Sequence, residues 1–299
     1  MLDVVIIGSG PAGITAAIYA KRANLNVAVV EKEYLGTGQI AESSRVDNYP
    51  GIPGIDGYSL GEKFREHAES LGVEFTEAQV LSLGQKDGIW IIGCDEDITL
   101  ESKVVIYATG CKNRPLGVPG EEKYYGRGLS FCAVCDGAFY KGKRVAVIGG
   151  GDTALDDAMY LSDICEKVYL VHRREFFRGS ASTLEKLKQK ENVEIIVNAR
   201  VEEITGDKKI DGIILDNKTK LNISGLFAAV GMIPQTELLK EFGVLDESNY
   251  VKASEDTKTT VNGLFAAGDV RTKQLRQVVT AAADGANAIY SVMEYLRNI

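Results

Sequence analysis

Two stretches of this chain repeat one pattern, and that repeat constrains the fold more than any other feature. Residues 4–20 read VVIIGSGPAGITAAIYA, and residues 145–161 read VAVIGGGDTALDDAMYL. Each is a β-branched run, then a glycine turn, then a stretch rich in small residues with helical character. The apolar runs are continuous rather than alternating, as in strands covered on both faces of a parallel sheet. A further apolar strand follows each helix, at Val27 to Val30 and at Val168 to Val171.

Both segments therefore read as βαβ units of the Rossmann kind. The fold class is α/β with two Rossmann-like dinucleotide-binding domains. In the first unit the fingerprint is Gly8-x-Gly10-x-x-Gly13. The first glycine permits a tight turn, the second lets a pyrophosphate approach the backbone, and the third lets helix and strand pack closely. The pyrophosphate would lie over the helix N-terminus, where free N–H groups favour an anion. An acid is expected on the ribose about 20 residues on, and Glu31 closes the second strand there.

The second fingerprint is Gly149-x-Gly151-x-x-Ala154. Counted from the first glycine, the position equivalent to Glu31 is His172, followed by Arg173 and Arg174, with Arg178 close behind. A carboxylate repels a ribose 2′-phosphate, whereas a basic cluster attracts it. The second site is thus read as NADP-binding, with Arg173, Arg174 and Arg178 on the phosphate. A lone fingerprint is often only a tight turn. Two of them in strand–turn–helix context, with different chemistry at the matched position, are not explained that way. His172 by itself is an ordinary structural histidine, and its value comes from the adjoining arginines.

Cys132-Ala133-Val134-Cys135 is the one Cys-x-x-Cys among five cysteines. Such a pair is either a redox disulfide or half of a zinc site. The chain holds only two histidines, His67 and His172, and its remaining cysteines, Cys94, Cys111 and Cys165, are isolated. The redox reading fits better, and no metal site is expected. Asp136 follows the pair directly. A carboxyl beside a dithiol can pass protons to and from a thiolate during exchange, or cap a turn together with Gly137.

A chain of 299 residues has room for two domains, and the punctuation shows where they part. Asn113-Arg114-Pro115 and Gly231-Met232-Ile233-Pro234 bracket the second βαβ unit. This gives a domain at 114–235 inserted between segments 1–113 and 236–299. The stretch from Ile89 to Ile92, with Lys103 to Tyr107, reads as β, as do Val193 to Val197 and Ile210 to Leu215. A closing helix runs from Gln277 to Leu296 by pattern. The net charge of −8 argues against nucleic acid, because phosphate contacts need clustered Lys and Arg. The N-terminus has no signal-peptide pattern, no apolar run has the length of a membrane span, and the odd cysteine count suits a reducing compartment. A cytoplasmic location with no membrane partner is expected.

CAVCDG at 132–137 between two dinucleotide folds resembles the low-molecular-weight thioredoxin reductases, which are FAD- and NADPH-dependent pyridine nucleotide-disulfide oxidoreductases. Further matches run from end to end: GQ at 38–39, NYPG at 48–51, ATG at 108–110, GGGDTA at 149–154, HRRxxxR at 172–178, GxxP at 231–234, and GLFAAGDV at 263–270 with RQV at 276–278. The resemblance implies FAD in the outer domain (1–113 and 236–299) and NADPH in the inserted one. Gly8, Gly10, Pro11, Ala12 and Gly13 would cradle the FAD pyrophosphate, with Glu31 and Lys32 at the adenosine ribose. Gly38, Gln39, Asn48, Val80, Thr109, Gly110, Gly268 and Asp269 complete the implied FAD contacts, and Arg276, Gln277 and Val278 open a helix whose N-terminal end stabilises reduced flavin. Gly149, Gly151, Asp152, Thr153, Ala154, His172, Arg173, Arg174, Arg178 and Gly231 are implied for NADPH.

The implied activity is thioredoxin-disulfide reduction, with hydride passing from NADPH to FAD, on to the Cys132–Cys135 disulfide, and out by exchange with thioredoxin. Cys135 is the flavin-side sulfur, Cys132 the exchanging one, and Asp136 the acid/base. The family is usually a homodimer, and its inserted domain rotates between two states, with hinges here near Arg114 and Gly231. One departure lies at Gly36-Thr37-Gly38-Gln39, where the family shows two adjacent glycines before the glutamine. The chain ends soon after Leu296, so no second redox centre is expected there. Two rival readings share these motifs. One is a disulfide reductase or dithiol oxidase acting on a different thioredoxin-like protein or small-molecule dithiol. The other is a flavin-binding regulator without turnover, against which the intact cysteine pair and both nucleotide motifs argue.

Overall fold

The computed structural model describes residues 1–33, 37–43 and 45–299, apart from the side chain of Glu42; Gly36 lies outside them. The chain divides into two compact units, Met1–Lys112 with Ile233–Ile299, and Asn113–Met232.

The first unit opens with β1 (Leu2–Ile7), α1 (Pro11–Arg22) and β2 (Val27–Glu31). After α2 (Gly57–Ser70) come β3 (Glu74–Glu77), β4 (Val80–Lys86), β5 (Ile89–Cys94) and β6 (Thr99–Tyr107). These six strands stand in the order β3-β2-β1-β6-β5-β4. β1 lies between β2 and β6 and is parallel to both, so its side chains are covered on both faces. Val4 and Ile6 enter the core beneath α1, while Val5 and Ile7 enter the opposite one. β6 is long enough for its first half to pair antiparallel with β5 while its second half pairs parallel with β1.

A short β7 (Cys111–Asn113) leads into the second unit. There β8 (Leu129–Ser130) precedes a single helical turn, α3 (Ala133–Asp136), and the repeated motif follows as β9 (Arg144–Gly149), α4 (Asp152–Ser162) and β10 (Lys167–Val171). Next come α5 (Ala181–Lys188), β11 (Val193–Ile196), the meander β12 (Val201–Thr205), β13 (Gly212–Leu215) and β14 (Lys220–Asn222), and finally β15 (Gly225–Ala229). The main sheet is parallel throughout, in the order β11-β10-β9-β15-β8. Val145 and Val147 face one core and Ala146 and Ile148 the other, repeating the arrangement of β1.

The chain returns through β16 (Met232–Pro234), which pairs with β7. The unit boundary falls after Met232, not after 235 as the sequence suggested. Gln235 is tied into the first unit, since its N–H donates to the Gly110 carbonyl and its own carbonyl accepts from the Tyr107 and Thr109 hydroxyls. β17 (Leu264–Ala266) then joins the outer sheet parallel to β6, and α6 (Val278–Leu296) packs along α1. Two predicted ends shift inward. Gln277 caps α6 through a capping box with Thr280 and does not lie inside it, because its side chain satisfies a free N–H of the first turn. Ile210 spends its N–H on the Arg127 carbonyl, so the pairing of β13 begins at Gly212. No helix among the described residues is long and apolar enough to cross a membrane.

Candidate active site

The cysteine pair lies in the second unit, where β8 turns into α3. Cys132 and Cys135 are joined as a disulfide. Cys132 takes the N-cap position, and its Sγ accepts the Cys135 N–H at 3.2 Å. Both cysteines are partly buried, while Val134 between them is exposed. Gly137 seats the turn against α4, for a Cβ there would lie 2.7 Å from the Tyr160 ring. Cys94, Cys111 and Cys165 are buried free thiols.

Asp136 is the carboxyl at this disulfide. Burial pushes its pKa above the ordinary carboxylate value, and a hydrogen bond from Ser130 pulls partly against that. The Ser130 hydroxyl donates to Asp136 Oδ2 at 2.6 Å and accepts the Cys132 N–H at 3.1 Å. One buried serine therefore links the acid to the backbone of the first cysteine. Sequence reading missed Ser130, since a serine two residues before a cysteine carries no signal until β8 ends there. A carboxyl with a raised pKa holds its proton closer to neutral pH, which suits a group that must give a proton to a leaving thiolate.

In the same unit the turn between β9 and α4 is built for close approach. A Cβ on Gly149 would meet the Ala229 carbonyl oxygen at 2.4 Å and Ala154 Cβ at 2.7 Å, whereas one on Gly151 would meet nothing. The backbone at Gly151 is thus open where a phosphate would sit. Asp152 begins α4, with Thr153 exposed beside it, and its Oδ1 accepts the Ser180 N–H at 2.7 Å. The Arg178 and Gly179 N–H groups both donate to the Gly150 carbonyl, so the loop after β10 folds over the glycine turn. Arg173, Arg174 and Arg178 are exposed on that loop and form no ion pair among the described residues. His172 differs from them. Its ring is buried against Gly150, where a Cβ would come within 2.2 Å of it, and it packs on Phe177 with centroids 4.9 Å apart. Burial first, then the neighbouring arginines, lower its pKa. His172 thus supports the turn from below, and the arginines alone present charge outward. Gly231, at φ +102°, stands at the unit boundary with its carbonyl accepting the Arg114 N–H.

The first unit carries the other glycine turn. Gly8, at φ +103°, has no room for a Cβ, which would lie 2.5 Å from the Ala108 carbonyl oxygen. A Cβ on Gly13 would fall 1.9 Å from the Gly8 oxygen. Above Gly10 the nearest atom to such a Cβ is the Thr37 oxygen at 3.8 Å. Pro11 starts α1 and Ala12 is buried behind it. Glu31, at the end of β2, accepts the Ser9 N–H at 3.0 Å and the Lys32 N–H at 2.8 Å, which fixes its carboxylate beside the turn. The Lys32 side chain pairs with Glu33 at the surface. Val80 packs on the core beside β5.

Other expected residues meet around the start of α6. Asn48 Nδ2 donates to Gln277 Oε1 at 2.9 Å. Arg276 Nε reaches the Asp269 carbonyl at 3.4 Å and its guanidinium lies over the Tyr250 ring. Cys111 donates its thiol to the same carbonyl, and burial pushes that thiol up to about 12. Burial also pushes Asp269 up to about 6, with Lys273 and Arg276 acting against it. Gly268, at φ +82°, shapes the preceding turn, while Gly38, at φ +71°, lies over Gly10. Thr109 stands apart, because its hydroxyl is committed to the Gln235 carbonyl, next to Gly110 at φ +67°. Gln39 Nε2 and Asp269 Oδ1 are buried without a hydrogen-bond partner. Buried polar atoms are nearly always satisfied. An orphan donor and an orphan acceptor beside an open glycine turn fit a bound dinucleotide with polar groups of its own.

Residues 2–285 match the family described as Pyridine nucleotide-disulphide oxidoreductase. Over its whole length the chain is similar to a thioredoxin reductase of Helicobacter pylori, at 40% identity over 310 residues with 100% of both chains covered. It is likewise similar to one of Bacillus subtilis, at 38% identity over 305 residues, covering 99% of this chain and 95% of the relative. Among solved structures, the thioredoxin reductase of Streptococcus pyogenes matches with a TM-score of 0.94 at 40% identity, covering 100% of this chain and 99% of that one.

Proposed function

This chain belongs to the pyridine nucleotide-disulphide oxidoreductase family, and from that premise we propose that it is an NADPH-dependent thioredoxin-disulfide reductase carrying FAD. The observation that carries the reading is the Cys132–Cys135 disulfide, with Asp136 and Ser130 beside it, in one unit with an arginine-flanked dinucleotide turn. The fold agrees, being mixed α/β with parallel sheets around two glycine turns.

In this reading the first unit, Met1–Lys112 with Ile233–Ile299, holds FAD, and the second, Asn113–Met232, holds NADPH. Gly8, Gly10 and Gly13 leave room for the FAD pyrophosphate, Glu31 holds the ribose, and Gln39 and Asp269 meet the polar groups of the cofactor with the atoms that now lack partners. Gly149 and Gly151 do the same for NADPH, with Arg173, Arg174 and Arg178 on its 2′-phosphate. When bound, FAD would supply the two-electron chemistry that links NADPH to the Cys132–Cys135 disulfide. Asp136 supplies a proton to the thiolate released as that disulfide opens. Cys132 then attacks the disulfide of thioredoxin to form a mixed disulfide, and Cys135 displaces the reduced partner, leaving Cys132–Cys135 oxidised again. The working form is a cytoplasmic homodimer.

The test is NADPH oxidation by FAD-loaded protein, with and without thioredoxin, against a small disulfide dye and with NADH as control. Strong stimulation by thioredoxin, abolished in Cys135→Ser, supports the proposal. Dye reduction that thioredoxin does not stimulate would move the acceptor to another disulfide.

A further inference from the structure

Asp284 lies on α6 and is 2% exposed. Four donors converge on its carboxylate. Oδ2 accepts the Gly268 N–H at 2.9 Å, Arg271 Nε at 2.8 Å and Lys273 Nζ at 2.9 Å, and Oδ1 accepts an Arg271 terminal nitrogen at 2.6 Å. The Arg271 and Lys273 side chains are themselves 3% and 5% exposed. The other acid near Arg271, Glu255, is 87% exposed, so solvent screens it. Two buried cations thus share one buried anion.

Such a cluster is a poor way to gain stability, because taking three charges from water is costly and an apolar replacement is often as stable. Its position supplies a different reason. The Gly268 N–H that Asp284 receives belongs to the turn presenting Asp269, whose Oδ1 is buried without a partner. That turn is pressed on α1, since a Cβ on Gly268 would lie 2.8 Å from Ala12 Cβ. The next residue of α6, Gly285, meets the same place, where a Cβ would lie 2.3 Å from the Ala12 carbonyl oxygen. One step of α6 therefore fixes both the helix of the first glycine motif and the turn carrying Asp269.

We propose that Asp284, held by Arg271 and Lys273, is a positioning residue of the flavin site, acting through the Gly268 N–H to aim Asp269 at the cofactor. The inference rests on reading the first unit as the FAD site. Neither Asp284 nor its two cations touches the cofactor in this account.

The experiment is FAD titration of the full-length apoprotein, followed by flavin fluorescence, for wild type, Asp284→Asn, Asp269→Asn and the double variant, with thermal melts of each apoprotein alongside. Asp284→Asn should raise the FAD Kd at least about tenfold, the scale of losing one charge-assisted hydrogen bond to the turn. Asp269→Asn should also weaken binding, and the double variant should be little worse than Asp269→Asn alone, because residues acting as one unit are not additive. Should Asp284→Asn fail to melt cooperatively, Asp284→Glu keeps the charge but displaces it, and should melt as wild type while binding FAD more weakly. FAD affinity within twofold of wild type in the folded variant, or effects that simply multiply, would overturn the proposal. Wild-type apoprotein that binds no FAD would bring down the cofactor reading itself.

Discussion

Asp157 offers the sharpest quantitative test of the structure. It sits midway along α4, partly buried, and forms no hydrogen bond or ion pair among the described residues. Burial first, and the adjacent Asp156 charge second, push its pKa from 3.8 to about 7. The fold therefore favours the protonated carboxyl. The stability this contributes is fully present below the unfolded value of 3.8 and is lost as pH rises through about 7. A shift of roughly three units corresponds to about 4 kcal/mol between those limits. Partial contact with water reduces this, and about 2 kcal/mol is the working figure. Asp157→Asn removes the titration at nearly constant shape. At pH 8 it should stabilise the protein by about 2 kcal/mol, a rise in melting midpoint of roughly 5 °C. At pH 5 only part of the penalty has developed, and the gain should shrink in proportion. The assay is thermal unfolding of FAD-saturated wild type and variant across this pH range. A gain independent of pH, or a loss at pH 8, would refute the argument.

Other outcomes follow from the same geometry. Asp136→Asn, which can still accept the Ser130 hydroxyl, should slow opening of the Cys132–Cys135 disulfide, and with it thioredoxin reduction, by about 10²-fold, while rapid mixing shows NADPH reducing the flavin at an unchanged rate. Arg174→Gln should raise KM for NADPH about tenfold and leave KM for NADH unaltered in steady-state assays, since only NADPH carries the 2′-phosphate. Gly13→Ala would place a Cβ 1.9 Å from the Gly8 oxygen, and should destabilise the first unit by about 1–3 kcal/mol and weaken FAD retention on gel filtration.

Much of this was legible in the sequence because its signals are local. A continuous apolar run, three spaced glycines and a trailing strand specify a βαβ unit within about 30 residues, and both units form as read, from β1 to β2 and from β9 to β10. The cysteine pair is equally local. What escaped notice depends on contacts made by folding. Ser130 matters only because β8 ends beside Asp136. Asp284 looks like one more polar helical residue until α6 brings it to Gly268 and Arg271. Thr109 sits within a family motif, yet its hydroxyl is taken by Gln235, far along the chain. His172 occupies the position where a ribose contact was expected, but its ring fills the space beneath Gly150, which leaves the adjoining arginines to carry the charge.

The central claim is that one chain holds a flavin and a disulfide that exchange electrons. Anaerobic titration of the FAD-loaded protein with NADPH, followed by flavin absorbance, tests it directly. Wild type should consume one NADPH for the disulfide and a second for the flavin before bleaching is complete, and Cys135→Ser should bleach with one. Equal consumption by both proteins would contradict the account, because it would mean that the Cys132–Cys135 pair receives no electrons from the flavin.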